Sequence, residues 1–433
     1  MALPQVKLGA LEARLSRMQP IDTGWSASAR AAALNTLNAM GLPDRRDEYW
    51  KYTNPAALVA PEAAPAQVLG LPEAALCGDL ERLKIVFVDG VFDPEASDDL
   101  IGSGVQIDRL AACQDLDLHW AKPVYGSLEA QGQVPVERPL AALNTAFASD
   151  GLLIHVTAAV KPILNIVYRH ENPLSDVMLH HLIKLEPNAS LTLVENGPVA
   201  ARSNLVMEVE VADQAQFHHI RAQGRDHEQR CCSSIFASLG RESVFKSFTL
   251  TVNGVLTRND CVLSLKGDDA VAHVAGACVG DGAFHHDDTV FITHDAVNCE
   301  SRQVFKKVLR NGAVGVFQGK ILVKPGAQKT DGYQISQSLL LDEDSQFLAK
   351  PELEIYADDV LCAHGATVGE LDETQLFYLT SRGIDRDTAR GMLISAFLDD
   401  AIDSISHPAL AALLRPVTTA WMTASNRAQT GDK

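Results

Sequence analysis

At 433 residues, the chain exceeds the ~100–200 residues of a typical single domain, so a large central unit with smaller appendages is expected. An apolar fraction of 46% marks an ordinary globular protein, while 37 basic against 55 acidic residues leave a net charge of −18, which argues against a phosphate-backbone partner. No apolar run approaches the ~20 residues of a membrane helix, and the N-terminus lacks the apolar core of a secretory signal, so a soluble cytoplasmic protein is expected.

Apolar positions recur every three or four residues across 8–19 and 28–40, which predicts two amphipathic helices, with Ser26 and Ser28 as candidate caps for the second. A cluster of Arg, Asp and aromatic residues, Arg45 to Tyr52, follows. The Ala/Pro-rich stretch Pro55–Pro72 then reads as a connector holding the first domain boundary. Ile85–Val88 with Asp89-Gly90 predicts a strand and turn, and Leu110–Leu118 and Pro139–Ala148 predict helices.

From about Gly151 to Tyr356 the helical period vanishes. Segments rich in Val, Ile, Phe and Thr recur between turns near Gly254, Gly267, Asp281, Asp295 and Gly312. Alternation at Phe248, Leu250 and Val252, at Cys261, Leu263 and Leu265, and at Val314 and Val316 is that of strands. Regular short strands without intervening helices make a sandwich, a barrel or a solenoid, and spacing alone does not choose among them. The helical period returns at Asp372, a candidate cap, with Leu376, Phe377 and Leu379 apolar and Gly383 as a stop. A second helix behind Asp385 places Ala389, Met392, Leu393, Ala396 and Phe397 on one stripe and is ended by Pro408. A third covers Ala409–Ala424 with a break at Pro416, and Ser425–Lys433 is expected to be disordered.

Eight cysteines, at 77, 113, 231, 232, 261, 278, 299 and 362, are scattered without a Cys-x-x-Cys, so they read as reduced thiols, and any metal held here is transient or shared. Cys362 and His364 stand two apart. A strand turns both to one face, and a thiolate beside an imidazole suits iron, copper or zinc. Two ligands do not make a site, and taken alone the pair reads as a buried thiol and an ordinary turn histidine. His285-His286-Asp287-Asp288, with His294 and Asp295, has the residue types of a metal site, yet alternation sends neighbours to opposite faces, and the segment reads as a polar turn. His180-His181 and His218-His219 are split the same way and read as solvated, and Cys231-Cys232 cannot face one ligand. Gly312-Ala313-Val314-Gly315 is a turn and not a phosphate loop, since no Gly-Lys-Ser/Thr follows.

The run Lys350–Gly369, KPELEIYADDVLCAHGATVG, resembles the SufB/SufD family of SUF-type iron–sulfur cluster assembly scaffolds. Its His-Gly-Ala-Thr form, in place of Glu-His-Glu-Ala-Thr, resembles the SufD-like branch. Further signatures fall in order over roughly 140–405: Asn144-Thr145-Ala146-Phe147 with Asp150-Gly151, Arg258-Asn259-Asp260, Gly319-Lys320-Ile321, Gln328-Lys329-Thr330-Asp331 with Tyr333-Gln334, and Leu376-Phe377-Tyr378-Leu379 with Arg382-Gly383-Ile384. Tyr49-Trp50-Lys51-Tyr52 resembles the branch's N-terminal domain. Gly332, where Ala is expected, and Ser336 and Ser338, where Asn is usual, depart from the pattern and are expected to loosen local turns without touching the Cys–His pair.

The resemblance implies a mostly β chain. A right-handed parallel β-helix core at 151–368 is flanked by α-helical domains: an N-terminal domain and linker at 1–70, a mixed α/β connection at 71–150, and a C-terminal domain at 369–433. It implies a heterodimer with a SufB-like paralogue and two SufC-like ABC ATPases, docked on about 370–405 through Leu376, Phe377, Tyr378, Arg382, Gly383, Ile384, Met392 and Phe397. His364 is placed at the paralogue contact as an iron ligand completing partner-supplied groups, with Cys362 as a second ligand or as a thiol exposed when ATP moves the pair apart. The implied role is a non-catalytic scaffold with no tightly bound cofactor, carrying transient iron or a nascent Fe–S cluster. Reduced flavin in the complex and a homodimer of the isolated chain are compatible with it.

Two rival readings stay open at the level of sequence. One is the SufB-like main scaffold, which calls for the Glu-His-Glu-Ala-Thr signature. The other is a β-helix polysaccharide lyase or hydrolase using Asp287, Asp288 and Arg302.

Overall fold

The centre of the chain is built from one corner, repeated. Asn188, Gln214, Glu242, Asp269, Asn298 and Lys329 all have positive φ, and each donates its backbone N–H to a carbonyl one coil further on, at Asp213, Arg241, Asp268, Val297, Gln328 and Asp359. Asn and Asp accept the left-handed conformation readily, whereas Gln, Glu and Lys do so under the constraint of the stacked coils. The computed structural model describes residues 4–69, 76–102, 104–116, 119–224 and 228–430.

Strands between these corners fall alternately into two ten-stranded sheets. Gln216–Gly224, Val244–Val252, Val271–Asp281, Glu300–Arg310, Asp331–Leu340 and Leu361–Gly369 pair parallel in sequence order in one sheet. Arg202–Val211, Arg230–Leu239, Leu256–Leu265, His285–His294, Val314–Val323 and Gln346–Ile355 do so in the other. The result is a parallel β-solenoid of about 7 turns. Its sheets begin before 151, since Arg82–Val88 pairs in parallel with Ile163–Arg169 and Val105–Arg109 pairs antiparallel with Leu152–Val156.

Leu193, Val209, Phe217, Phe245, Ile292, Phe305 and Phe317 fill the space between the sheets, and each such side chain removed from water contributes about 1.5–3 kcal/mol. Both faces of both sheets are covered over most of their length, which is why strict polar/apolar alternation is patchy in the sequence.

On one outer face lie α1 (Gln5–Leu15), α2 (Ala27–Met40), α3 (Ala56–Val59), α4 (Ser127–Gln131) and α5 (Pro139–Phe147). Every residue of α5 is buried, and the Asn144 amide donates to the carbonyls of Leu179 and Asn204 on adjacent strands. The Arg258 guanidinium sits 4.1 Å from the Trp50 ring centroid and donates to the Tyr49 carbonyl, fastening the aromatic cluster to the sheet. Ser26 stands where α2 begins, but its hydroxyl accepts from Arg30 and contacts the Gln114 side chain instead of capping. The helix predicted at Leu110–Leu118 is replaced over the described residues by consecutive turns; residues 117 and 118 lie outside them. Leu110 N–H is held by Gly151, and the Trp25 indole takes the Cys113 carbonyl, so the acceptor a helix needs is already engaged.

The other sheet is covered by α6 (Glu373–Thr380), α7 (Arg386–Ile402) and α8 (Pro408–Thr430). Asp372 caps α6 through Thr374 and Gln375, and Asp385 caps α7 through Thr388. Gly383 turns the chain between them at φ +88°. The packed stripe of α7 is Ala389, Ile394, Leu398, Ala401 and Ile402, rotated from the predicted one because it seats on Ala275, Ala277, Val279 and Val308 of the sheet. Pro408 opens α8 and does not end α7. Pro416 lies inside α8 without breaking it, and the backbone stays helical to Thr430 where disorder was expected; residues 431–433 lie outside the described residues. An interior proline costs ~3 kcal/mol, which burial of Leu410, Leu414 and Trp421 against the sheet offsets. Among the described residues no helix is long and apolar enough to cross a membrane.

Candidate functional site

Leu361–Gly369 is the last strand of its sheet, as Gln346–Ile355 is of the other. Among the described residues each pairs within its sheet with the preceding strand alone, so the solenoid ends in two free strand edges, the kind of surface that seeks a partner. Around this end Ile355, Tyr356, Leu361 and Val368 are exposed apolar or aromatic side chains.

Cys362 and His364 lie on that terminal strand, in register with Gly332 and Gln334. Gln334 is buried between the sheets, so the pair shares the lumen-facing side of its strand, as two-residue spacing predicts. Cys362 is half-buried and packs beside Ile321, Val323, Leu353 and Val360, and burial pushes its thiol up. His364 is exposed. A metal ion binding here displaces the thiol proton and meets an accessible imidazole. Among the described residues, no group of three or more His, Cys, Asp or Glu is placed to hold a metal ion, so the pair leaves coordination positions for donors from elsewhere.

Gly332, Ser336 and Ser338 stand in the strand Asp331–Leu340, not in a turn. Gly332 does touch the pair: a Cβ there would lie 3.3 Å from Cys362 Sγ.

The residues expected to dock an ATPase divide by exposure. Phe377 (72%), Tyr378 (55%) and Met392 (48%) face solvent, whereas Leu376 (1%) is buried. Leu376 therefore anchors α6 and does not present a surface. Arg382 lies 4.4 Å from the Tyr378 ring centroid, Ile384 and Phe397 are half-buried, and Lys306 sits 4.8 Å from the Phe397 ring while pairing with Asp400 at 2.7 Å.

His285-His286-Asp287-Asp288 opens a buried strand and is not a polar turn. Alternation does separate its members. His285 and Asp287 meet Thr53 of the N-terminal region, and Asp287 also takes Arg258 at 2.7 Å. His286 and Asp288 face the lumen, where the Lys307 ammonium donates to both, at 2.8 and 2.6 Å. Burial pulls His286 down to about 3, so Lys307 carries the positive charge that matches Asp288. Arg302 pairs instead with Asp331. The carboxylates and the arginine of the hydrolase reading are thus held in three separate pairs.

His180, His181 and His219 are buried rather than solvated. His180 bridges Asn144 and Glu208, whose carboxylate also accepts the backbone N–H groups of Gly126, Leu128 and Glu129. In the lumen Glu195 accepts from Tyr168 and Arg221 and bonds His219; against the effect of burial, the Arg221 guanidinium and the His219 hydrogen bond hold its carboxyl well below the usual range. Sequence reasoning missed this network. Glu195 and Arg221 are opposite charges in register on neighbouring strands, a relation that becomes visible only once the coils are aligned. Cys231 and Cys232 do part to opposite sides, the first near Glu195 and Arg221, the second under the N-terminal helices.

Sequence comparison decides the family. The profile described as SUF system FeS cluster assembly, SufBD core domain, matches residues 168–397, and the SufBD protein N-terminal region matches 23–164. The chain belongs to the SufB/SufD family. It is 29% identical over 398 residues to iron–sulfur cluster assembly protein SufD of Escherichia coli, covering 87% of this chain and 88% of that protein. It is 27% identical over 415 residues to the SufBD family protein slr0076 of Synechocystis, covering 89% of each. It is 29% identical over 277 residues to SufD of Bacillus subtilis, covering 62% of this chain and 63% of that protein. Within the SufB/SufD family the chain is therefore SufD-like.

Proposed function

We propose that this SUF scaffold subunit works at its open solenoid end, holding iron or a nascent cluster through His364, with Cys362 beside it and further ligands supplied by a SufB-like paralogue. The observation that carries the reading is an exposed imidazole and a half-buried thiol side by side on a terminal strand whose outer edge is unpaired, in a member of a cluster-assembly family. Two free strand edges rimmed by Ile355, Leu361 and Val368 suit pairing with a chain of the same architecture.

In this reading the chain catalyses nothing itself, and a SufC-like ATPase docks on α6 and α7 through Phe377, Tyr378 and Met392. Because α7 seats on the sheet and Lys306 ties Asp400 to the strand Glu300–Arg310, movement of α7 is passed to the strands that end at His364. The paralogue contact then opens for iron and sulfur to enter. The iron and the cluster are cargo. A cytoplasmic setting follows from the reduced state such chemistry needs.

The test is anaerobic reconstitution of the complex containing His364→Ala, read by bound iron, sulfide and cluster absorbance. Loss of cluster with the complex intact is expected, and full loading removes His364 from the role.

A further inference from the structure

Buried polar side chains are normally hydrogen-bonded. In the last rungs of the solenoid several are not. Gln303 and Gln334 pair in register beneath His364 and are fully buried, and neither amide has a partner for its nitrogen or its oxygen. The hydroxyls of Ser336 and Ser338, the next lumen-facing positions of the same strand, are buried and equally unpartnered. Deeper in the lumen the charged groups are matched, Glu195 by Arg221 and Asp288 by Lys307. Single unpartnered atoms occur elsewhere, at Ser203, Gln229 and His294 among others, but among the described residues the two amides with neither atom partnered both lie at the end that opens on the Cys–His pair.

Gly319 shapes this space. A Cβ there would lie 1.6 Å from Gln334 Nε2, so the amide reaches across the lumen over bare backbone. The position directly above Gln334 in the stack is His364.

We propose that these side chains line a polar chamber behind the terminal strand, and that the Gln334 amide oxygen is a further ligand, beside His364 and Cys362, for a divalent metal ion of iron's class. The inference rests on the proposed role of His364. A set of imidazole nitrogen, thiolate sulfur and amide oxygen suits a borderline metal, and a neutral amide adds a donor without adding negative charge. Gln303 and Ser336 supply hydrogen bonds to Gln334 and to water carried in on the metal. Occupancy satisfies the otherwise unpaired groups.

The test is titration of the full chain with cobalt(II) under anaerobic conditions, following thiolate-to-cobalt charge transfer in the near ultraviolet and the ligand-field bands in the visible. Gln334→Leu is expected to weaken cobalt binding about 10–100-fold, the usual effect of losing a supporting contact at a metal site, and to shift the ligand-field bands while the thiolate band persists. Its melting temperature should not fall, since an unpaired buried amide is being replaced by an apolar group. Gln334→Glu should bind cobalt more tightly than the unsubstituted chain. Cobalt affinity and spectrum unchanged in both Gln334 variants, with His364→Ala alone losing the metal, overturn the chamber and leave the role of His364 standing. No binding by the unsubstituted chain overturns the chamber and leaves His364 to be judged in the reconstituted complex, and undiminished binding by His364→Ala removes both.

Discussion

Gly332 is the floor on which Cys362 rests. The two are paired in register, and the thiol occupies the side of Gly332 where a side chain would otherwise stand, 3.3 Å from the absent Cβ. Cys362 is also the one cysteine of the eight that is not fully buried. A single thiol should therefore react with a maleimide under native conditions, and Cys362→Ser should abolish the labelling. Burial raises the Cys362 pKa, so its rate should still be climbing with pH above the ~8.5 of a free thiol. Gly332→Ala should speed the reaction by lifting the sulfur. Its effect on stability should stay within ~1 kcal/mol, because alanine also restricts the unfolded chain. Peptide mapping by mass spectrometry checks all of this, and label spread over several cysteines contradicts it.

The lumen pair of Lys307 and Asp288 is fully buried, so removing one member strands the other in a medium that cannot solvate it. Asp288→Ala should destabilise the chain by about 3–5 kcal/mol, measured by urea unfolding. A loss below ~1 kcal/mol means that water reaches Lys307 and the lumen is not closed at this level.

Acid should destabilise the protein through its buried histidines, against the opposing effect of Glu129, whose carboxyl burial pushes up to about 7. Burial lowers His181 to about 4, His286 to about 3 and His294 to about 4. Unfolding restores them toward ~6.5, so between about 6.5 and those values the unfolded chain binds more protons, and stability rises with pH. The contribution is complete above pH ~6.5 and is lost on descent toward 4, at up to ~1.4 kcal/mol per pH unit for each histidine. Calorimetry from pH 8 to 4.5 should show a flat region and then a fall. His294→Gln should make the fall shallower, and constant stability from pH 7 to 5 is the contrary result.

What the sequence made legible was what repeats or caps. Asp372 and Asp385 announced their helices, and the turn spacing around Gly254, Gly267 and Asp281 announced short regular strands. The Cys362–His364 spacing announced a shared face once the segment was a strand. Choosing the solenoid needed the resemblance, since corner residues such as Gln214, Glu242 and Lys329 carry no turn signature and take their left-handed conformation from the coil above. The lumen ladders were hidden for a related reason. Glu195 with Arg221, and Gln303 with Gln334, are one coil apart in sequence, and a reader comparing near neighbours sees isolated polar residues in apolar strands. The stripe of α7 was misread because the sheet beneath it, and not the helix alone, selects which apolar side chains are buried.

That stripe bears on docking. On α6, Leu376 and Phe377 are adjacent apolar residues with opposite environments, the first in the core and the second 72% exposed. Leu376→Ala should cost about 2–5 kcal/mol in local packing, loosening α6 and weakening ATPase capture indirectly. Phe377→Ala should leave the melting temperature within experimental scatter, since an exposed side chain far from special features contributes within ~0.5 kcal/mol. If Phe377 anchors the partner, its loss should cost at least ~2 kcal/mol of binding, or about 30-fold in Kd. Tyr378→Ala should behave similarly, with an added effect of freeing Arg382 from its ring. Calorimetric titration of each variant with the purified ATPase separates the cases. Equal weakening by Leu376→Ala and Phe377→Ala, with equal loss of stability, shows that α6 is only a structural support. Unchanged affinity in Phe377→Ala, Tyr378→Ala and Met392→Ala moves the docking surface off this face of α6 and α7.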